Sequence, residues 1–453
     1  MANHATRCGI YPIVGVNAGL KTNSGRIIVK FCQRVVSRNA AAVVIGLLVF
    51  GCGLSTAAQG QTLTVLHAFT GGSDGTEPYA GLTMDRGGNL YGTTGYGGYT
   101  GGSCGGGCGV AFKLTQHGSN WLLDPLYAFH GGSDGATPVA RVVFGPDGAL
   151  YGTTYAGGGT GCGGSGCGTV FRLQPPATSC SSFPCPWHET VLYAFTGGSD
   201  GASPDLGDLI FDASGNIYGT AAAGGRIHLC SGGCGVVFEL TRNGQSWTEN
   251  VLYGFTGGLD GSGPLGGLTF DQVGNLYGTN SQGSAYELSP TESGWVETTL
   301  ISYLPGPVGG LAFDTAGNLY GTTLFGGNQS AGNVFELSPG SNGWTYNQLY
   351  SIAGYGDGPR DTPVFDSAGN MYVTSSFSGG LAGELFELTP SGGNWTYTSL
   401  HSFTGGSDGG LPIGNVVLGA NGTMFGTTLS GGNQNGLCAG QGGCGVVYEI
   451  TPN

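Results

Sequence analysis

Aspartates recur in a glycine-rich string, F-T/H-G-G-S/L-D-G, which the sequence contains at 69–75, 129–135, 195–201, 255–261 and 403–409. Weaker forms of the string lie near Pro305 and near Asp357. If these carboxylates met on one face, they could bind Ca²⁺ or a cationic ligand, with backbone carbonyls completing the six to eight oxygens that Ca²⁺ needs. The alternative is that each carboxylate caps the backbone of its own Asp-Gly turn. The aspartates are Asp74, Asp134, Asp200, Asp260, Asp357 and Asp408.

Four further polar residues interrupt the repeated pattern: His130, Arg226, His228 and Arg360. A histidine near carboxylates could act as a general acid or base, so a lyase or hydrolase is one hypothesis. Variation of an exposed surface is the other interpretation of these residues. The sequence contains no nucleophile elbow, no paired-histidine zinc motif and no phosphate-binding loop. We therefore assign no catalytic residue and do not expect an enzyme.

Ten of the 13 cysteines form close pairs, and the remaining three, Cys8, Cys32 and Cys52, precede the repeats. Close pairs in an exported chain indicate disulfides. Zinc sites are the alternative, but zinc ligands keep a short fixed spacing and two pairs must converge. The spacing varies here, which favours disulfides. The pairs are Cys104 with Cys108, Cys162 with Cys167, Cys180 with Cys185, Cys230 with Cys234, and Cys438 with Cys444.

The first 58 residues form a separate export segment. They contain six basic and no acidic residues, and a short apolar run at 40–50 precedes small residues ending at Ala58. This order is typical of a secretory signal, and the run is too short to span a bilayer. Cleavage after Ala58 or lipid modification at Cys52 are the alternatives. Residues 59–453 then carry seven Lys or Arg and all 27 Asp or Glu, a formal charge of −20, which disfavours nucleic acid as a partner.

The string NLYGTT at 89–94 is the first of seven related copies, whose aromatic residues are at 91, 151, 218, 277, 320, 372 and 425. Each copy contains four short apolar strings bounded by Gly, Asn, Asp or Pro, as strands are. Four antiparallel strands per repeat predict an all-β protein, a seven-bladed β-propeller over 59–453. We call the strands of a blade A to D, from the ring axis outward.

The two ends of the repeat region complement each other. A lone D-type strand is predicted at 63–69, and a C-type strand at 445–451 ends the last copy. Pairing them would complete the seventh blade and close the ring, which removes exposed sheet edges. In such a ring the B–C and D–A connections share one face, which we call the top face. Four cysteine pairs and the Asp-Gly turns are predicted there, whereas Cys180 and Cys185 are predicted in a C–D connection on the opposite face.

Two residue types within the strands have a structural explanation. The six tryptophans each stand at the start of a D strand; they could stack on a sugar, but their regular placement favours packing between repeats. The glycine of each B strand, such as Gly92, is expected to admit a bulky side chain from the neighbouring blade.

The strings GLTFD, GNLYGTT, GVVFEL and VLYAFTGGSDG resemble the GloVer tandem repeats of bacterial exported proteins, over residues 63–453. The resemblance implies a propeller-like extracellular repeat protein, often with a surface anchor, and no established reaction or ligand. If this chain is anchored, Cys52 is the candidate.

Together these features predict a secreted or envelope-associated monomer that binds carbohydrate, peptide or surface polymer through its disulfide-bonded top face. No cofactor is expected, except Ca²⁺ under a third hypothesis, in which the chain is a calcium-stabilised structural protein of the envelope.

Overall fold

The computed structural model describes residues 61–101, 103–176, 187–226, 229–353, 358–377 and 382–452. The export segment, Cys180, Cys185, His228 and Asp357 lie outside these residues, so the predictions made for them stay predictions. Among the described residues, no helix is long and apolar enough to cross a bilayer.

The described residues form seven four-stranded antiparallel sheets, the seven blades of a β-propeller, which confirms the predicted fold. Strand β1 (Thr62–Ala68) comes first in the chain and belongs to blade seven. Blade one contains β2 (Thr83–Met84), β3 (Leu90–Thr94), β4 (Val110–His117) and β5 (Asn120–Ala128). Blade two contains β6 (Val143–Phe144), β7 (Leu150–Thr154), β8 (Thr169–Gln174) and β9 (His188–Ala194). Blade three contains β10 (Ile210–Phe211), β11 (Ile217–Ala221), β12 (Val236–Asn243) and β13 (Ser246–Gly254).

Blade four contains β14 (Thr269–Phe270), β15 (Leu276–Asn280), β16 (Ser284–Thr291) and β17 (Gly294–Ile301). Blade five contains β18 (Ala312–Phe313), β19 (Leu319–Thr323), β20 (Asn333–Gly340) and β21 (Gly343–Ser351). Blade six contains β22 (Val364–Phe365), β23 (Met371–Ser375), β24 (Glu384–Ser391) and β25 (Asn394–Ser402). Blade seven adds β26 (Val417–Leu418), β27 (Met424–Thr428) and β28 (Val446–Thr451) to β1. Short 3-10 turns lie in the connections at Cys162–Gly164, Asn328–Ser330, Ala420–Gly422 and Gly436–Cys438.

Blade seven contains strands from both ends of the described chain. β1 pairs antiparallel with β28, and the register joins Leu63 to Ile450. A hydrogen bond links blade seven to blade one: the Thr427 hydroxyl donates to the Ala80 carbonyl at 2.7 Å. The equivalent threonines of blades one, three, four, five and six bond to the following blade in the same way. Blade seven is therefore bonded to blade one in the same way as these five blades are bonded to the blades that follow them.

The B strands are the most buried, since both of their faces are covered. In β3, β7, β11, β15, β19 and β27 every residue is buried. On one face, the tyrosine of the B strand packs edge-to-face on an A-strand phenylalanine of the next blade, as Tyr91 does on Phe144 at 5.2 Å. Tryptophans pack on the preceding blade, as Trp121 does on Phe425 at 5.9 Å. Packing between blades thus explains the regular aromatic positions.

The expectation for the B-strand glycine was wrong in one respect. A Cβ on Gly92 would lie 2.6 Å from the Phe112 ring, and Phe112 belongs to the paired strand β4 of the same blade. The glycine therefore makes room within its own blade, because the C-strand ring crosses directly over it.

Candidate functional site

Four of the five predicted disulfides are formed: Cys104–Cys108, Cys162–Cys167, Cys230–Cys234 and Cys438–Cys444. They lie in the B–C connections of blades one, two, three and seven, which are consecutive in the ring. Each disulfide packs beneath the next Asp-Gly turn; a Cβ on Gly131, for example, would lie 2.6 Å from the Cys108 sulfur. Disulfide loops and turns thus form one packed wall on the top face.

The fifth predicted disulfide joins Cys180 and Cys185. Both cysteines fall in the gap between residues 176 and 187 of the described chain, within the connection from β8 to β9. The structure therefore does not test this pairing, and the bond between Cys180 and Cys185 stays a prediction from their close spacing.

The turn aspartates are bound within their own turns. Asp200 accepts hydrogen bonds from the Thr196 amide at 2.7 Å, the Thr196 hydroxyl at 2.6 Å and the Gly198 amide at 3.1 Å. The Tyr193 hydroxyl adds a fourth at 3.0 Å. Asp74, Asp134, Asp260 and Asp408 are held by similar sets of bonds. In the described residues, no group of three or more His, Cys, Asp or Glu could hold a metal ion.

The histidines of this region take over the hydrogen bonds of repeat residues. His67 lies 3.1 Å from Asp74, in the place from which Tyr193 reaches Asp200. His130 occupies the position of Thr196, and its Nδ1 lies 2.9 Å from Asp134. The His130 ring also packs at a tilt against Tyr99, with ring centroids 4.6 Å apart.

His130 lines an open groove between β1 and β5 rather than the centre of the ring. The groove has a volume of 860 Å³ and its wall includes Trp121, Leu122 and Tyr127. Arg226 is exposed in the connection that contains Cys230. The structure therefore does not gather His130, Arg226 and the turn aspartates into one site.

A different set of residues meets at the centre of the top face, in a cavity of 520 Å³ that we call the axial pocket. Each D–A connection contains a proline, and the residue after that proline lines the pocket. The seven residues are of six types, with valine twice, whereas the proline is constant. They are Tyr79, Val139, Asp205, Leu265, Val308, Arg360 and Ile413.

The residue before each proline fixes this arrangement. Glu77, Thr137, Ser203 and Leu411 have φ between 52° and 57°, a left-handed conformation that is uncommon for residues other than glycine. The amide of Thr137 donates to the Cys108 carbonyl at 2.8 Å, and the amide of Ser203 donates to the Cys167 carbonyl at 2.7 Å. The second cysteine of each disulfide thus holds the backbone that turns the following side chain into the pocket.

The pocket wall is mainly apolar and aromatic. Leu206, Phe377, Leu411 and Leu429 extend the apolar part, and Tyr96 and Tyr155 join Tyr79 on one side. A small number of polar groups within an apolar cavity is typical of ligand sites.

Asp205 and Arg360 are the charged side chains of this wall. Burial raises the pKa of Asp205 to about 6, although the positive charge of Arg360 opposes the shift. Burial also raises the pKa of Glu77, whose carboxylate accepts a hydrogen bond of 3.2 Å from Tyr79. A carboxyl group whose pKa is raised by burial in a cleft marks a candidate functional site.

The repeat is irregular where Asp205 lies. Pro204 stands six positions before β10, whereas Pro138 and the other prolines stand five positions before their A strands. The inter-blade bond is also lost here, because the buried Thr153 hydroxyl finds no partner among the described residues. Departures from a regular pattern that cost stability concentrate at functional sites.

The sequence match agrees with this architecture: residues 49–185 match the model of the Gloeobacter/Verrucomicrobia repeat. This segment of the chain is similar to that repeat. No curated protein sequence matches the repeat protein.

The chain is also similar to solved structures. One is a fungal alcohol oxidase of the AA5 family in complex with copper, which is 15% identical over 86% of this chain and 76% of its own, with a TM-score of 0.51. Another is the periplasmic gluconolactonase of Pseudomonas aeruginosa, which is 14% identical over 74% and 87% of the two chains, with a TM-score of 0.46. At such low identity, the likeness to the oxidase shows the propeller fold of the repeat protein alone.

The sequence analysis identified Arg360 as a candidate, and Arg360 lines the axial pocket. It did not identify Asp205, which lines the same pocket. A signal for Asp205 was available: the residue after the recurrent proline is of six types in seven copies, and the third copy is one residue longer.

Proposed function

We propose that this chain is an exported binding module whose ligand occupies the axial pocket of the top face. The observation that carries the proposal is the convergence of seven variable residues on one cavity, each presented by a constant proline. Positions that must pack are alike in the blades, whereas a position that faces a fitted binding site is expected to vary.

The electrostatics of the pocket support binding in the same place. The turn aspartates have their hydrogen bonds satisfied, whereas Asp205 accepts none from a described residue and lines the cavity. A partly desolvated carboxylate without a hydrogen bond costs free energy that a bound donor would recover. A small ligand, or one residue or sugar unit of a larger polymer, fits a cavity of 520 Å³.

Export is part of the proposal. The four disulfides described above are typical of oxidising compartments outside the cytoplasm, and the N-terminal segment has the order of a secretory signal. The large negative charge agrees with a soluble extracellular monomer.

The experiment is a thermal-shift screen with small aromatic and glycosidic fragments, both charged and neutral. We expect a subset to raise the melting temperature of the wild type but not of Val308→Trp, which fills the axial pocket. Leu122→Trp is the matched control, since Leu122 is 57% exposed in the groove between β1 and β5. The proposal fails if no fragment raises the melting temperature of the wild type. It also fails if Leu122→Trp, rather than Val308→Trp, abolishes the increase.

A further inference from the structure

The axial pocket is polarised, and the side near blades one to three combines aromatic rings with carboxylates. Tyr79, Tyr96 and Tyr155 line this side together with Asp205. The negative charges of Glu77 and Asp205 both raise the pKa of Tyr79, although burial is the larger cause, so these carboxylates lie near its hydroxyl. Tyrosine faces and carboxylates attract the same kind of group, a cation.

Asp205 differs from the other aspartate of its connection. Asp200 receives four hydrogen bonds from its own turn. Asp205 interacts with Arg360 only through charge, and among the described residues no donor reaches it. Leu206 and Val139 of the same pocket wall offer no donor, and a ligand in the pocket would supply one.

The apolar residues of the axial pocket indicate what kind of body the ligand's donor group is attached to. Leu265, Val308 and Ile413 would contact an apolar body, and their burial favours a ligand that covers them. Arg360 lies three blades from Asp205 around the ring, where its positive charge disfavours a second cation.

We propose, on the basis of the proposed binding function, that the ligand carries one protonated amine on an apolar or aromatic body. The ammonium donates to Asp205 and lies against the tyrosines, and the body fills the apolar half of the axial pocket. Such a group occurs in a free arylalkylamine or in a terminal residue of a larger molecule.

Affinity for this ligand depends on pH. The pKa of Asp205 is raised to about 6, so its carboxylate is ionised at pH 7.5 and mostly protonated at pH 5. Of the other groups, Tyr79 stays neutral because its pKa is raised, and Glu77, whose pKa is raised by burial, loses charge in the same direction as Asp205. Affinity should therefore fall about 10-fold between pH 7.5 and pH 5.

The experiment is calorimetry with three probes of one shape: phenethylammonium, 2-phenylethanol and 3-phenylpropionate. At pH 7.5 we expect the amine to bind most tightly and Asp205→Asn to weaken it by about 10- to 100-fold, the loss of a hydrogen bond to a charged group. Glu292→Gln, which removes the same charge from an exposed turn, should leave the affinity unchanged. Any pH dependence of the affinity that remains in Asp205→Asn is attributed to the ionisation of Glu77.

The outcomes separate this inference from the proposed function. Equal binding of 2-phenylethanol and the amine, or an unchanged affinity in Asp205→Asn, overturns the inference and leaves a binding pocket in place. Absence of binding by all three probes also overturns it, and the fragment screen then decides the proposed function. Folding of Asp205→Asn is checked by its melting temperature, which should not fall, because a buried charge is removed.

Discussion

The amide of Glu77 donates a 3.0 Å hydrogen bond to the carbonyl of Cys444. The two residues are at opposite ends of the described chain, and their bond joins the disulfide of blade seven to the wall of the axial pocket. Glu77 also holds the backbone of blade one, since its carbonyl accepts from the Gly95 amide at 2.9 Å. The disulfide is thereby connected to Tyr79, two residues from Glu77, through a single backbone contact.

Removing this disulfide should weaken both the fold and the pocket. For Cys438→Ser/Cys444→Ser we expect a loss of about 1–2 kcal/mol in the free energy of unfolding, as for a short disulfide loop. We also expect weaker binding in the pocket, because Tyr79 loses its fixed support. Urea unfolding and phenethylammonium calorimetry measure the two effects. Unchanged affinity in a destabilised variant would contradict the connection to the pocket.

Two buried tyrosines offer a test of the packing. Tyr286 and Tyr448 stand where Phe335 and other C strands have phenylalanine, and their buried hydroxyls have no partner among the described residues. Tyr286→Phe should therefore raise the free energy of unfolding by about 1 kcal/mol, since an unsatisfied polar group is removed. Phe335→Tyr is the reciprocal variant and should lower it by about 1–3 kcal/mol. Urea unfolding compares them, and destabilisation by Tyr286→Phe would be evidence against the packing described.

The turn aspartates should act as caps rather than as metal ligands. Asp260 accepts bonds from the Thr256 amide at 2.8 Å, the Gly258 amide at 3.2 Å and the Tyr253 hydroxyl at 3.0 Å. Asp260→Asn keeps the shape but loses the charge, and should cost about 1.5–3 kcal/mol. The melting temperature reports this loss, with Glu292→Gln as the control. A chelator should leave the melting temperature of the wild type unchanged. A lower melting temperature with chelator would instead favour the hypothesis of a calcium-stabilised structural protein.

Stability should be greatest in mildly acidic solution. Burial raises the pKa of Glu189 and Glu249 to about 7 and that of Asp205 to about 6. Since their folded-state pKa values exceed the unfolded ones, their contribution is complete below about pH 4 and is lost as the pH rises through 6 to 7. The pKa of Asp260 is lowered, because hydrogen bonds from Thr256 outweigh its burial, so its contribution is lost as the pH falls below about 4.

Melting temperatures from pH 3 to 8 check this balance. The maximum should lie between about pH 4 and 6, and Glu189→Gln/Glu249→Gln should flatten the decline on the alkaline side. A melting temperature that rises steadily from pH 5 to pH 8 in the wild type would contradict the assignment.

The fold could be predicted from the sequence because a repeated pattern must pack in the same way in every copy. The tyrosine of NLYGTT and the glycine after it recur since each contacts the same neighbours in each blade. The direction from which a ring covers Gly92 could not be predicted, because it depends on register across the sheet rather than on spacing along the chain.

The candidate site was harder to predict for the same reason. Repetition drew attention to Asp74 and its equivalents, and their carboxylates are used by their own turns. The pocket is built from the positions that do not repeat, and Asp205 and Arg360 are 155 residues apart in the chain. Only closure of the ring brings such positions onto one cavity.

The most direct test is the crystal structure of the protein soaked with phenethylammonium at pH 7.5. The amine should lie in the axial pocket, with its nitrogen within hydrogen-bond distance of the Asp205 carboxylate and its ring against Leu265 and Val308. Electron density for the amine in the groove beside His130, with an empty axial pocket, would contradict the account.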